Sequence, residues 1–216
     1  MKKFTFKGII ASIFLVAISA TNSFSQGTPI GCNGQFFVTH GSGGTSTSTT
    51  SVKTLSFAGG TITPNVFSVS PGSIGFNAIG LNPVDGYMYG LRYPSNNNRP
   101  NLVRVGNGPG TNIVDLGEVS NGGGNMSDND IAYAGCFDAA GVFYFTTNNN
   151  EMFKITGLNY PATSTTATYI GAPAGGGSGT NFFEDMAVNP VTNILYGLTF
   201  NQRLYTINTT TGVSTF

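Results

Sequence analysis

The stretch FEDMAVNPVTNILYGL, residues 183–198, restates FNAIGLNPVDGYMYGL, residues 76–91, with seven of sixteen positions identical. Each copy opens on a small residue between two bulky ones, Ile79-Gly80-Leu81 and Met186-Ala187-Val188. In a strand, that alternation puts the bulky pair on one face and the small residue on the other. A turn follows, Asn82-Pro83-Val84-Asp85-Gly86 in one copy and Asn189-Pro190-Val191-Thr192-Asn193 in the other. Asn, Pro and Asp-Gly supply the preset and positive φ angles that a hairpin needs. A second strand then centres on Tyr89 or Tyr196.

Working outward, the aromatic position recurs at Phe37, Tyr89, Tyr144 and Tyr196, at spacings of 52, 55 and 52 residues. The bulky–small–bulky trio has a third copy at Ile131-Ala132-Tyr133, an alignment that also sets Asp130 level with Asp185 and with Ala78. A third strand follows each aromatic one, at SVKTL (51–55), LVRV (102–105), MFKI (152–155) and LYTI (204–207). A fourth is expected at 61–69, 112–119, 167–170 and 212–216, and glycine-rich connectors fall at 71–75, 121–125 and 175–179.

A period near 50 residues built from four short strands reads as all-β blades, at about 33–69, 76–119, 130–171 and 184–216. One such sheet leaves a face unburied, and stacking copies solves that. Gly- and Asn-rich turns at this period favour a β-propeller-like array over a sandwich. No segment after residue 26 has a helical period. The count is fifteen strands, because the first blade begins at its second strand. Either four blades close imperfectly or the sequence is a fragment of a larger propeller; an open array would leave sheet edges exposed, which favours the fragment.

The N-terminus has its own reading. Lys2, Lys3 and Lys7 precede GIIASIFLVAISA (8–20), an apolar core too short to span a bilayer and of the length of a signal peptide. Ala20 and Ser25 both offer cleavage points, and cutting after Ser25 removes 1–25 and leaves a single domain over 26–216. PIGC (29–32) superficially resembles a lipidation box, but Cys32 lies a dozen residues past the apolar core and Pro29 occupies the aliphatic position. Beyond the leader, six basic and nine acidic residues remain, and the basic ones are scattered. That leaves no patch to neutralise a phosphate backbone, which argues against nucleic acid. Charged residues make up only 8% of the chain, so Ser, Thr, Asn and Gly must supply the polar surface. No second apolar run is long enough to cross a membrane. The expected location is secreted, extracellular or at a bacterial cell surface, where a Cys32–Cys136 disulfide is chemically permissible.

The pattern Asp-[Ile/Met]-Ala, a short turn, [Leu/Phe]-Tyr and Leu-Tyr-x-Ile-x-x-x-Thr-Gly stands here as DIAYAGCFDAAGVFYF (130–145), DMAVNPVTNILYG (185–197) and RLYTINTTTG (203–212). Together with CNGQFFVTHG (32–41), it resembles a poorly characterised, propeller-like repeat domain of unknown function from exported and cell-surface proteins. The resemblance spans nearly all of the chain after the leader. It implies export, a seven-blade-like or related fold, and frequent attachment to larger surface proteins carrying a C-terminal sorting domain. It brings no established activity, so no catalytic residue follows from it.

Chemistry is sparse. The single histidine, His40, is the only candidate of the usual general-base type, and it reads best as a strand-end residue. No G-x-S-x-G occurs, no Gly-Lys-Ser/Thr follows the glycine runs, and two Cys with one His do not support a structural zinc site. The acidic groups SDND (127–130) and FED (183–185) precede first strands. Asp128, Asp130, Glu184 and Asp185 are therefore candidate oxygen ligands for calcium or acceptors for sugar hydroxyls. The competing reading has each carboxylate accept backbone N–H groups of the connector. Tyr93, Asn97 and Arg99 in YPSNNNRPN (93–101), Asn149 in TNNN (147–150) and Arg203 in FNQR (200–203) are further candidates, on loops that emerge together on one face. The leading expectation is a non-catalytic module for binding or adhesion to carbohydrate or another surface protein. A polysaccharide-processing hydrolase or lyase on the same scaffold is the alternative.

Overall fold

The computed structural model describes residues 27–30, 34–41, 48–69, 74–95, 97–107, 112–121, 126–161, 163–173 and 183–216. The expected leader at 1–25 and Cys32 lie outside them. Among the described residues there are sixteen strands and no helix, so no helix is long and apolar enough to cross a membrane.

Four sheets stand in a propeller arrangement. Blade one holds β1 (Phe36–Gly41), β2 (Thr50–Ala58) and β3 (Thr61–Val69). Blade two holds β4 (Phe76–Leu81), β5 (Met88–Arg92), β6 (Asn101–Val105) and β7 (Ile113–Glu118). After β8 (Ser120–Asn121), blade three holds β9 (Ala132–Phe137), β10 (Phe143–Thr147), β11 (Met152–Ile155) and β12 (Thr166–Gly171). Blade four holds β13 (Phe183–Val188), β14 (Leu195–Thr199), β15 (Leu204–Ile207) and β16 (Ser214–Thr215). Within each blade, successive strands pair antiparallel, as the meander reading requires. β8 was not expected. It pairs parallel with β12, so the chain leaving blade two clips to the outer edge of blade three before turning inward.

The hairpin between the first two strands has one design in three copies. The side-chain oxygen of Asn82, Asp138 or Asn189 accepts the N–H two residues on, at 3.0, 3.0 and 2.9 Å. A positive-φ residue, Gly86, Gly141 or Asn193, then closes the turn. These turns set the true register. The residue opposite Tyr89 is Gly80, opposite Tyr144 is Cys136, and opposite Tyr196 is Ala187. In blade three the trio opposite the aromatic strand is therefore Gly135-Cys136-Phe137, and the expected Ile131-Ala132-Tyr133 alignment is corrected by four residues. Asp185 is level with Ala134, since each pairs with the residue two beyond the aromatic. Asp130 and Asp185 are not equivalent. The similarity of DIA to DMA misleads because the stretch from Asp130 to Tyr144 is longer than that from Asp185 to Tyr196.

Packing follows from the sheets. One apolar cluster fills the space between blades two and three, around the ring series Phe137, Phe143, Phe145 and Phe153. A second, with Phe183, Met186, Leu195, Tyr205 and Ile207, joins blades three and four. A third, with Val52, Phe76, Met88, Val103 and Val105, joins blades one and two. Small residues let innermost strands approach: a Cβ added to Gly80 would sit 2.8 Å from the Phe137 ring. At the far end of blade two, Asp85 accepts the Tyr89 hydroxyl at 2.6 Å and the N–H groups of Tyr87 and Tyr160 at 3.0 Å. The buried Arg104 guanidinium lies 4.9 and 4.4 Å from those two tyrosine rings, which are themselves 5.4 Å apart, a cation–π cluster that ties blade two to the loop of blade three. The two end sheets are different. Phe36, Phe57, Ile62 and Val66 on blade one are more than half exposed, as is Leu204 on blade four.

Candidate functional site

The innermost strands β1, β4, β9 and β13 come round a common axis and enclose a cavity of about 380 Å3. Phe37, Val38 and Thr39 of β1 form one wall, with Val52 of β2 behind them. Asn77 and Ile79 of β4, with Met88 of β5, form the next, and Tyr133, Ala134 and Gly135 of β9 the third. Glu184 and Asp185 of β13, both exposed, complete it. Consecutive residues of β1, β9 and β13 line it, so the cavity runs along these strands, and Ala134, Val52 and Met88 of its lining also belong to the clusters between blades.

Of the residues singled out from sequence, Glu184 and Asp185 line this cavity. Tyr93 stands behind its wall, hydrogen-bonded to Asn77. Burial, reinforced by neighbouring Tyr133, raises the Tyr93 hydroxyl above the ordinary tyrosine range. Asn97, Asp130 and Asn149 lie in a separate hydrogen-bonded knot, with exposed Asp128 as a neighbouring charge. The Asn129 side chain donates to Asn97 at 3.1 Å, and its N–H donates to the Asn98 carbonyl at 2.9 Å. Asp130, 2% exposed, accepts the Ser127 N–H at 2.7 Å and the Asn149 amide at 2.6 Å. Burial raises its carboxyl above the usual carboxylate range, and the Ser127 N–H offsets part of that rise. Here the carboxylate holds the turn at Ser127. Arg99 is engaged with Glu118 at 2.6 Å, and the Arg203 guanidinium lies 5.8 Å from the Phe216 ring; neither reaches the cavity.

Thr39, Asn77 and Tyr133 were not singled out from sequence, yet they are the cavity's neutral polar groups. His40 sits at the exposed end of β1, as expected. Among the described residues, no three His, Cys, Asp or Glu side chains gather to hold a metal ion.

The knot and the cavity respond differently to substitution. Asp130→Ala leaves two donors without their acceptor, and we expect it to cost about 1–3 kcal/mol of stability. Asp185→Ala removes one local contact, the Met186 N–H at 2.8 Å, from an exposed side chain and leaves the urea midpoint nearly unchanged. Equilibrium urea unfolding of the two variants separates them.

Among the described residues Cys136 is without a disulfide partner, and it is buried opposite Tyr144. Burial pushes its pKa up to about 12, and the charges of Asp185 and Asp138 add to the rise. The native protein should therefore resist maleimide at pH 8 and react only after denaturant is added. The sign for stability follows. Keeping the thiol neutral contributes fully below its ordinary value of 9.0, and that contribution fades as pH rises towards about 12.

Among solved structures, the chain is similar to the major allergen Mala s 1 of Malassezia sympodialis, at 10% identity and a TM-score of 0.45, over 77% of this chain and 51% of that one. It is also similar to the C-terminal WD40 domain of Sif2, at 8% identity and a TM-score of 0.42, over 87% of this chain and 58% of that one. The chain thus spans between half and three-fifths of the length of these structures. No curated protein matches it. The model of one family matches residues 36–216, which takes in all four blades. The chain belongs to that family, described as a repeat of unknown function (DUF6923).

Proposed function

We propose that this chain is an exported, non-catalytic binding module of the cell surface and that its axial cavity receives the ligand. The leader-like pattern of Lys2, Lys3, Lys7 and the apolar run 8–20 supports export. One observation carries the rest: strands from all four blades converge on a single cavity of about 380 Å3 with the acceptors Glu184 and Asp185, the amide of Asn77, the hydroxyl of Thr39 and the ring of Tyr133. A concave site with several convergent polar groups suits a polymer bearing hydroxyls or amides.

The test is capture of labelled protein on an array of defined polysaccharides and extended peptides. Wild type is expected to be retained by at least one class. Tyr133→Ala and Asp185→Asn should weaken retention at least tenfold with unchanged melting, whereas Arg99→Ala should not. Retention indifferent to both cavity variants, or turnover of a captured polysaccharide, would contradict the proposal.

A further inference from the structure

Blades two, three and four each place a strand on the axis, and β4, β9 and β13 pair antiparallel with β5, β10 and β14. By the alignment of Phe37 with Tyr89, Tyr144 and Tyr196, β1 is the counterpart of those second strands. Among the described residues, however, β1 pairs with β2 alone. The difference shows in burial. β10 is buried throughout and β5 nearly so, while β1 is exposed at every residue but the half-buried Phe37.

Upstream of β1, residues 27–30 lie against blade two. Thr28 exchanges backbone hydrogen bonds with Asn107 at 2.8 and 2.7 Å, and the Ile30 N–H donates to the Gly86 carbonyl at 2.6 Å. This segment crosses the turns of blade two, and Ile30 is buried in the cluster between blades one and two. The inner edge of β1 therefore faces the axial cavity, with Phe37, Val38 and Thr39 on its lining.

We propose that the inner edge of β1 binds an extended polypeptide strand, added antiparallel, as the fourth strand of blade one. The proposal rests on reading the axial cavity as the ligand site and names the ligand as peptide rather than carbohydrate. An edge strand offers a row of backbone donors and acceptors, and pairing with it gives affinity while side-chain pockets give selectivity. The other blades state what the pocket wants. Gly80, Cys136 and Ala187 oppose their aromatic partners, so the incoming strand carries a small residue opposite Phe37 between two bulky ones. Glu184 and Asp185 on the cavity wall disfavour an acidic strand.

The probe is a labelled peptide with the sequence of residues 183–189, carrying Glu184→Gln and Asp185→Asn and blocked at both ends. Titrated with the full chain and followed by fluorescence anisotropy, it should bind saturably and raise the protein's melting temperature. N-methylation of alternate amides on the pairing edge should weaken it at least tenfold, and Ala187→Trp in the peptide should do the same. Absence of saturable binding, or equal binding by the N-methylated peptide, overturns the strand assignment. If the peptide fails while a polysaccharide is captured in a Tyr133- and Asp185-dependent way, only this assignment falls. If no ligand depends on the cavity, the functional reading falls with it.

Discussion

Phe145→Ala is expected to lower the unfolding free energy by about 3–5 kcal/mol, the range for removing a fully buried aromatic ring. Phe145 has no solvent exposure. Its ring lies 5.8 Å from Phe143 and 5.4 Å from Phe153, so it is the middle member of the series between blades two and three. Its strand neighbours cannot collapse into the space, because Gly135 and Phe153 are its register partners on either side and both are fixed in ladders. For a domain of this size the loss lowers the melting temperature by roughly 10 °C. Phe57→Ala is the control: more than half exposed on the end sheet, it should change the urea midpoint very little.

Gly135→Val should be nearly as damaging, for the opposite reason. A Cβ at Gly135 would lie 2.5 Å from the Ala78 carbonyl oxygen and 2.8 Å from its carbon, contacts with backbone that no rotamer change relieves. Ala78 is itself held at φ 52 in the bulge of β4, so it has little room to retreat. Overpacking of this kind typically costs about 1–3 kcal/mol, and a β-branched side chain belongs at the upper end. Gly135 also lines the cavity. The substitution should therefore weaken ligand capture as well as stability, whereas Phe145→Ala, away from the cavity, should leave capture by the folded fraction intact. Chemical denaturation together with the array assay reads both effects.

Much of the architecture was legible because its signals are local. The second, third and fourth strands fall where the bulky–polar alternation puts them, and β11 and β15 coincide with MFKI and LYTI. The Asn/Asp turns were legible as well, since their chemistry depends on a side chain and the N–H two residues away. Register in blade three was not. Asp130-Ile131-Ala132 and Asp185-Met186-Ala187 look alike over three residues, but the turn at Asp138, not the position of Asp130, fixes which residue pairs with Tyr144. β8 was hidden because two residues carry no periodicity.

The candidate site divides along the same line. Glu184 and Asp185 stood out as an acidic pair before an apolar strand. Asn77, Thr39 and Tyr133 are single polar residues on three different strands, and nothing local marks them; only the convergence of β1, β4 and β9 on the axis brings them together. Asp130 and Asn149, candidates from two separate stretches of sequence, are hydrogen-bonded to each other at 2.6 Å.

The central claim is that, among the described residues, blade one presents an unpaired strand edge to the axis, beside the cavity proposed to take the ligand. Backbone hydrogen exchange resolved by residue tests it most directly. The account predicts that alternate amides of β1, Phe36–Gly41, exchange rapidly, while amides throughout β5 and β10 are protected to the level of global unfolding. Uniform protection along β1, equal to that of β5 and β10, would mean that its inner edge is already paired and would contradict the account.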